Sequence, residues 1–206
     1  VDGRLEVQFT GSRDGITWHR YDHAAYVPPG LAGSDSSNRT YLGVGLVVRG
    51  DELWQYGVTY RTPHGALETR QTEIEDVARK PAAGEPWADG TVYRYVQRVD
   101  GFVSLDFGLG GGRGVSAPVK VDGPRLRINV DTGALGDLRV ALLGPGGKPI
   151  PGFSAAECDQ IETNSTHALV SWRRSGDLSA VAGQEVQLQF TGTRAKLYSF
   201  YFGSER

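Results

Sequence analysis

The 206-residue sequence contains no methionine and a single cysteine. With no second cysteine, Cys158 has no internal disulfide partner, and no Cys-x-x-Cys or Cys/His spacing suggests a zinc site. The chain begins at Val1, so the missing methionine points to a processed product or an excised piece of a longer one. Long apolar runs are also missing. The longest, Tyr41 to Val48, is interrupted by Gly43 and Gly45 and falls far short of the roughly 20 residues of a membrane helix. Neither sign of charge dominates: 22 basic and 24 acidic side chains leave a net charge of −2. That balance gives the whole molecule no electrostatic pull toward nucleic acid or an anionic membrane. Gly-x-Gly-x-x-Gly, P-loop and Gly-x-Ser-x-Gly patterns are absent, and neither a cofactor nor a metal is expected.

Glycine is abundant, with 29 residues, about twice the roughly 7% of average proteins. Two-residue alternation runs through the second half of the chain. Leu126, Ile128 and Val130 alternate with Arg125, Arg127 and Asn129, and Leu138, Val140 and Leu142 repeat the pattern, as do Val186, Leu188 and Phe190. A strand with this period has one apolar and one polar face. Turn signals such as Asp122-Gly123-Pro124 and Gly144-Pro145-Gly146-Gly147 separate these segments, which predicts antiparallel strands rather than alternating helix and strand. Helical candidates are few. Thr72 to Lys80 could make two turns before Pro81, and Asp177 to Gly183 at most a short capped turn. The chain therefore reads as all-β.

In the first half, Ser12-Arg13-Asp14-Gly15-Ile16-Thr17-Trp18 predicts a tight Asp-Gly turn joining Leu5–Gly11 to Ile16–Tyr21, with Trp18 pinning the turn to the sheet. A second hairpin is expected from Tyr41–Val48, through Arg49-Gly50-Asp51-Glu52, to Leu53–Tyr60. Paired hairpins of this sort are the repeating unit of a β-propeller. The glycine-rich stretch Gly108 to Gly114 reads as a linker. It predicts two modules: residues 1–106, propeller-blade-like and holding three of the four tryptophans, and residues 107–206, a β-sandwich ending in the aromatic strand Leu197–Phe202.

The segments "SRDGITW", "YLGVGLVVRGDELWQYGVTYRTPHG" and "YRYVQRVDGFVSLDFG" resemble the last blade and a half of bacterial proteins related to the five-bladed propeller glycoside hydrolases of the fructosidase and arabinosidase type. The remainder, from "LRINVDTGALGDLRVALLGPGGKPIPGF" onward, resembles the β-sandwich that follows the propeller in those proteins. The resemblance implies a carbohydrate ligand, an extracytoplasmic or secreted setting, and catalytic carboxylates on earlier blades, outside this chain. It also implies that half a propeller, with open strand edges, is completed by an N-terminal propeller segment or a second copy, unless the first module is self-sufficient.

Glycoside hydrolysis needs two carboxylates about 5 to 9.5 Å apart. The acids Glu68, Glu73, Glu75, Asp76, Glu85 and Asp89 cluster in one stretch, and nothing in their spacing separates a catalytic wall from a solvated loop. His19 and His23 read as a solvated pair at a strand end. Sugar recognition combines flat aromatic faces with Asp, Asn and Arg hydrogen bonds. Asp35, Asn38 and Arg39 precede the strand that would be innermost in a blade, and they could face a pocket alongside His64 or simply form a turn. In the resemblance His64 corresponds to a His-Gly near the propeller mouth. Trp54 and Tyr56 point to one face of their strand, either toward a ligand or between blades. Trp172 reads as sandwich core. Two sequons, at Asn38 and Asn164, matter only if the source glycosylates secreted proteins. The alternative function is a stand-alone carbohydrate-binding or structural β-sandwich protein without enzymatic activity.

Overall fold

A computed structural model describes residues 3–64 and 90–204. The helical candidate Thr72 to Lys80 and the acidic group Glu68 to Asp89 lie outside the described residues. The chain is all-β, with antiparallel sheets, none of which closes into a barrel among the described residues. It divides into two compact units between Gln97 and Arg98.

The first unit is built on one sheet. Strand β3 (Glu52–Tyr60) pairs along one edge with β1 (Arg39–Leu42) and β2 (Val47–Arg49), and it also pairs with β4 (Gly90–Arg98). The expected hairpin forms: β2 and β3 join through a two-residue turn at Gly50 and Asp51, with Arg49 opposite Glu52 and Val47 opposite Trp54. Farther along, Arg39 faces Tyr60 and Tyr41 faces Val58. Gly57 sits in the middle of β3 because the sheet is crowded there. A Cβ would lie 2.7 Å from the Tyr41 carbonyl oxygen and 3.1 Å from a ring carbon of Tyr95, a clash with backbone that a strand cannot relieve by moving a side chain.

The first expected hairpin forms only in part. Gly11 and His19 exchange backbone hydrogen bonds of 2.9 and 2.8 Å, whereas Leu5 pairs with the Asn38–Thr40 segment and Val7 with Val27. The Asp14 carboxylate explains the difference, because it accepts from the Thr17 and Ile16 amides at 2.7 and 2.8 Å and from the Ser12 hydroxyl at 2.9 Å. These bonds stabilise a wider loop over residues 12–18 than an Asp-Gly turn would make. They also hold the carboxyl well below the usual carboxylate range. Trp18 is 61% exposed and does not pin the turn.

The second unit is a sandwich of two four-stranded sheets. One has the order β10 (Asn164–Leu169), β8 (Leu126–Asp131), β12 (Ala195–Phe202), β5 (Leu105–Phe107). In the other, β11 (Glu185–Thr193) pairs with β6 (Gly112–Val115), β7 (Val119–Lys120) and β9 (Asp137–Leu143). The alternating aliphatics of β8, β9 and β11 meet in one core, where Leu126, Ile128, Leu138, Leu142 and Leu188 are fully buried. Trp172 belongs to that core, its indole N–H donating to the Val140 carbonyl at 3.0 Å. The short turn after Asp177 is a 3-10 turn over Ser179–Val181, and Asp177 accepts from the Ser179 amide at 3.0 Å.

Two sequence expectations need revision. Gly112 to Val115 is not linker but strand β6, paired with β11. Backbone pairing holds the segment in the strand, with Gly114 opposite Phe190 and Gly112 opposite Gly192. The boundary also falls earlier than residue 106. Strand β5 pairs with β12, the Asn129 amide donates to the Val99 carbonyl at 2.6 Å, and Ser199 donates to Asp100 at 2.9 Å, so residues from Arg98 onward belong to the sandwich.

Cys158 is buried in the sandwich core, and burial pushes its thiol pKa up, which suppresses the reactive thiolate. At pH 8 the native chain is expected to resist a thiol-specific reagent and to label stoichiometrically once unfolded in guanidinium. Equally fast labelling of both states would contradict this packing.

Candidate functional site

The antiparallel register of β3 decides which side chains share a surface, because directly paired residues project to the same face. Trp54, Tyr56 and Tyr60 lie on one face of β3, and the pairings with β1 and β2 add Arg39, Tyr41 and Arg49 to it. From β4, Arg94 reaches the same face, with its guanidinium carbon 4.2 Å from the Trp54 ring centroid. Arg49 lies 5.1 Å from that ring and Arg39 4.0 Å from the ring of Tyr60. Such contacts are electrostatic attractions between a cation and the negative face of a π-system. Tyr41 meets Tyr60 edge to face at 6.0 Å, and its hydroxyl lies 2.9 Å from Nδ1 of His64.

The opposite face of β3 is occupied. Leu53 and Thr59 are buried there, and Thr59 donates toward the carbonyls of Asp35 and Thr91 at 3.3 Å. The Tyr26 hydroxyl lies 2.7 Å from Gln55 Oε1 and 2.9 Å from Gln97 Oε1. A hydroxyl has one proton, so it donates to one glutamine and accepts from the other in its flipped orientation. With one face held by the N-terminal segment, the aromatic and arginine face is the one turned outward. Tyr56 is 47% exposed, and Arg49 and Arg94 are exposed as well.

The structure brings together four of the six residues expected to form a site: Arg39, Trp54, Tyr56 and, through Tyr41, His64. Asp35 and Asn38 are engaged elsewhere. The Arg61 guanidinium donates to the Asp35 carboxylate, and the Asn38 side-chain amide donates to the Arg61 carbonyl. Their turn is thereby tied to the end of β3. Arg20 lies 3.3 Å from Nδ1 of His23, and no cluster of three or more metal-ligating side chains occurs among the described residues. Of the two sequons, Asn38 is half-buried and bonded as above, whereas Asn164 is exposed at the start of β10.

Tyr41, Arg49 and Arg94 were not singled out from the sequence. The turn at Gly50-Asp51 carries the signal for Arg49, since counting outward from a two-residue turn sets it opposite Glu52, whereas the register shifts by two residues between β2 and β1, so that Tyr41 pairs with Val58 and not with Tyr60. Arg94 has no comparable signal, because residues 65–89 separate β4 from β3.

Comparison of the chain with protein-family models, with curated proteins and with solved structures finds no match. Function therefore rests on the site itself.

The Asp35 and Arg61 side chains are 38% and 42% exposed, which places their pair among surface ion pairs worth about 1 kcal/mol or less. Asp35→Ala is expected to lower the melting temperature slightly and to leave the indole N–H resonance of Trp54 in place. A large shift of that resonance would tie Asp35 to the aromatic face after all.

Proposed function

We propose that the outward face of the first unit binds carbohydrate, in the manner of a glycan-recognition surface on a glycoside hydrolase-like protein, and that the β-sandwich is its accessory module. The observation that carries this reading is the set Trp54, Tyr56 and Tyr60 on one face of β3, interleaved with arginines from three neighbouring strands. Aromatic rings offer flat apolar area to the C–H face of a sugar, and guanidinium groups donate to its oxygens. Alternate residues of a strand are about 6.6 Å apart, so Trp54 and Tyr56 offer adjacent contacts to an extended chain of sugar rings.

On this reading, catalytic carboxylates belong to earlier blades outside this chain, as the resemblance implies. The one acid that β1–β4 direct to the face among the described residues, Glu52, accepts from the Trp54 indole N–H at 2.7 Å and serves as a clamp on that ring. The chain alone is expected not to hydrolyse aryl glycosides. Turnover that disappears on changing an acid between Glu68 and Asp89 would assign catalysis to this chain.

A second reading has its own support. Val92 is 72% exposed on the same face, and Val47 and Val96 are close to half exposed, a pattern that favours coverage by a protein surface in a structural assembly. Titrating soluble polysaccharides while following tryptophan emission separates the two. On the carbohydrate reading, at least one polymer perturbs the emission, and Tyr56→Ala weakens its binding roughly ten-fold. No perturbation by any glycan, together with self-association of the chain, would favour the assembly reading.

A further inference from the structure

The outward face of the first unit carries more positive charge than recognition of a neutral sugar requires. Among the described residues, β1–β4 bring two arginines, Arg49 and Arg94, against the Trp54 ring and direct one carboxylate, Glu52, to the same face, although the chain as a whole has a net charge of −2. That carboxylate accepts from the Trp54 indole N–H through one oxygen, and one negative charge against two guanidinium groups leaves the described surroundings of the ring net positive.

The arrangement of the arginines also matters. Arg49 comes from β2 and Arg94 from β4, so they approach the same indole from the two strands that flank β3. Guanidinium groups held against a ring cover part of the apolar area that a neutral pyranose would stack on. They keep outward-pointing N–H donors in a planar fork whose geometry matches a carboxylate or a sulfate. The cation–π contacts also limit the freedom of each long side chain before any ligand arrives, which lowers the ordering cost of binding.

We infer that the ligand of this face is an anionic glycan, a polymer carrying uronate carboxylates or sulfate esters, gripped by Arg49 and Arg94 beside Trp54. The inference rests on the carbohydrate reading of the same surface. Tyr56, two residues along the strand, supplies the stacking contact, and the two arginines select for charge.

The test titrates the full chain, in low-salt buffer, with four soluble polymers: polygalacturonate, its methyl-esterified form, dextran sulfate and unmodified dextran. Calorimetry and tryptophan emission report binding. At least one charged polymer is expected to bind roughly ten-fold or more tightly than its uncharged counterpart, and the preference is expected to shrink as salt is raised to about 0.5 M, where screening is strong. The arm that responds identifies carboxylate or sulfate as the group read. Arg49→Gln and Arg94→Gln are each expected to reduce the preference several-fold while circular dichroism stays unchanged. Equal binding of charged and neutral polymers overturns the inference and leaves the carbohydrate reading standing, whereas no binding of any polymer overturns both. A charge preference untouched by either substitution also overturns it, because the anion would then be held elsewhere. The esterified and unsulfated controls use the unaltered chain, so the comparison decides even if a variant fails to fold.

Discussion

The register of β3 is the constraint on which the candidate site depends. A strand has a side-chain period of two, so a slip of one residue would turn Trp54, Tyr56 and Tyr60 inward and bring Leu53, Gln55 and Thr59 to the surface. Several contacts oppose that slip. The two-residue turn at Gly50-Asp51 fixes the start of the pairing, and the close approach of the Tyr41 carbonyl to Gly57 admits no larger residue at that level. Arg61, just beyond the strand, is tied to Asp35 and Asn38. The hydroxyls of Tyr26 and Thr59 satisfy the inner face with polar contacts rather than apolar packing alone.

That inner face differs in kind from the core of the second unit. Among the described residues of the first unit, the buried apolar side chains are Val27 and Leu53, accompanied by buried Ser37, Thr40, Thr59 and Thr62. The Thr59 hydroxyl finds its partners in the carbonyls of Asp35 and Thr91, as an unpaired buried polar group is costly, and directed bonds of this kind specify geometry more tightly than they add stability. The sandwich, by contrast, rests on close-packed aliphatics from β8, β9 and β11, with Phe153 and Trp172 meeting edge to face at 5.2 Å. One unit is organised around hydrophobic burial, the other around a polar lock behind an aromatic surface.

The sandwich was the most legible part of the sequence. Strands with one buried face carry their period openly: β8, β9 and β11 lie where the alternation of apolar residues placed them, and β12 contains the expected aromatic strand Leu197–Phe202. The glycine-rich segment misled, because glycine is scarce in strands generally, whereas here the segment is held by pairing with β11, a contact between distant segments that no local pattern encodes. The loop at Asp14 misled for a related reason. Asp-Gly favours a tight turn, but an aspartate that accepts two amides and a hydroxyl stabilises a wider loop. In the site, parity along β3 was readable and correctly grouped Trp54 with Tyr56. The partners of Asp35 and Asn38 were not readable, since both meet Arg61 at the far end of a hairpin. Arg94 reached Trp54 only through a strand pairing that the sequence did not display.

The account makes one surface responsible for recognition, and a two-dimensional NMR titration with a soluble polygalacturonate or dextran sulfate oligomer tests it most directly. The account predicts that the Trp54 indole N–H and the side-chain N–H signals of Arg49 and Arg94 move together and saturate, while the amides of Gln55 and Thr59, on the inner face of the same strand, stay close to their free positions. Movement confined to the sandwich, or none at all with both oligomers, would contradict it.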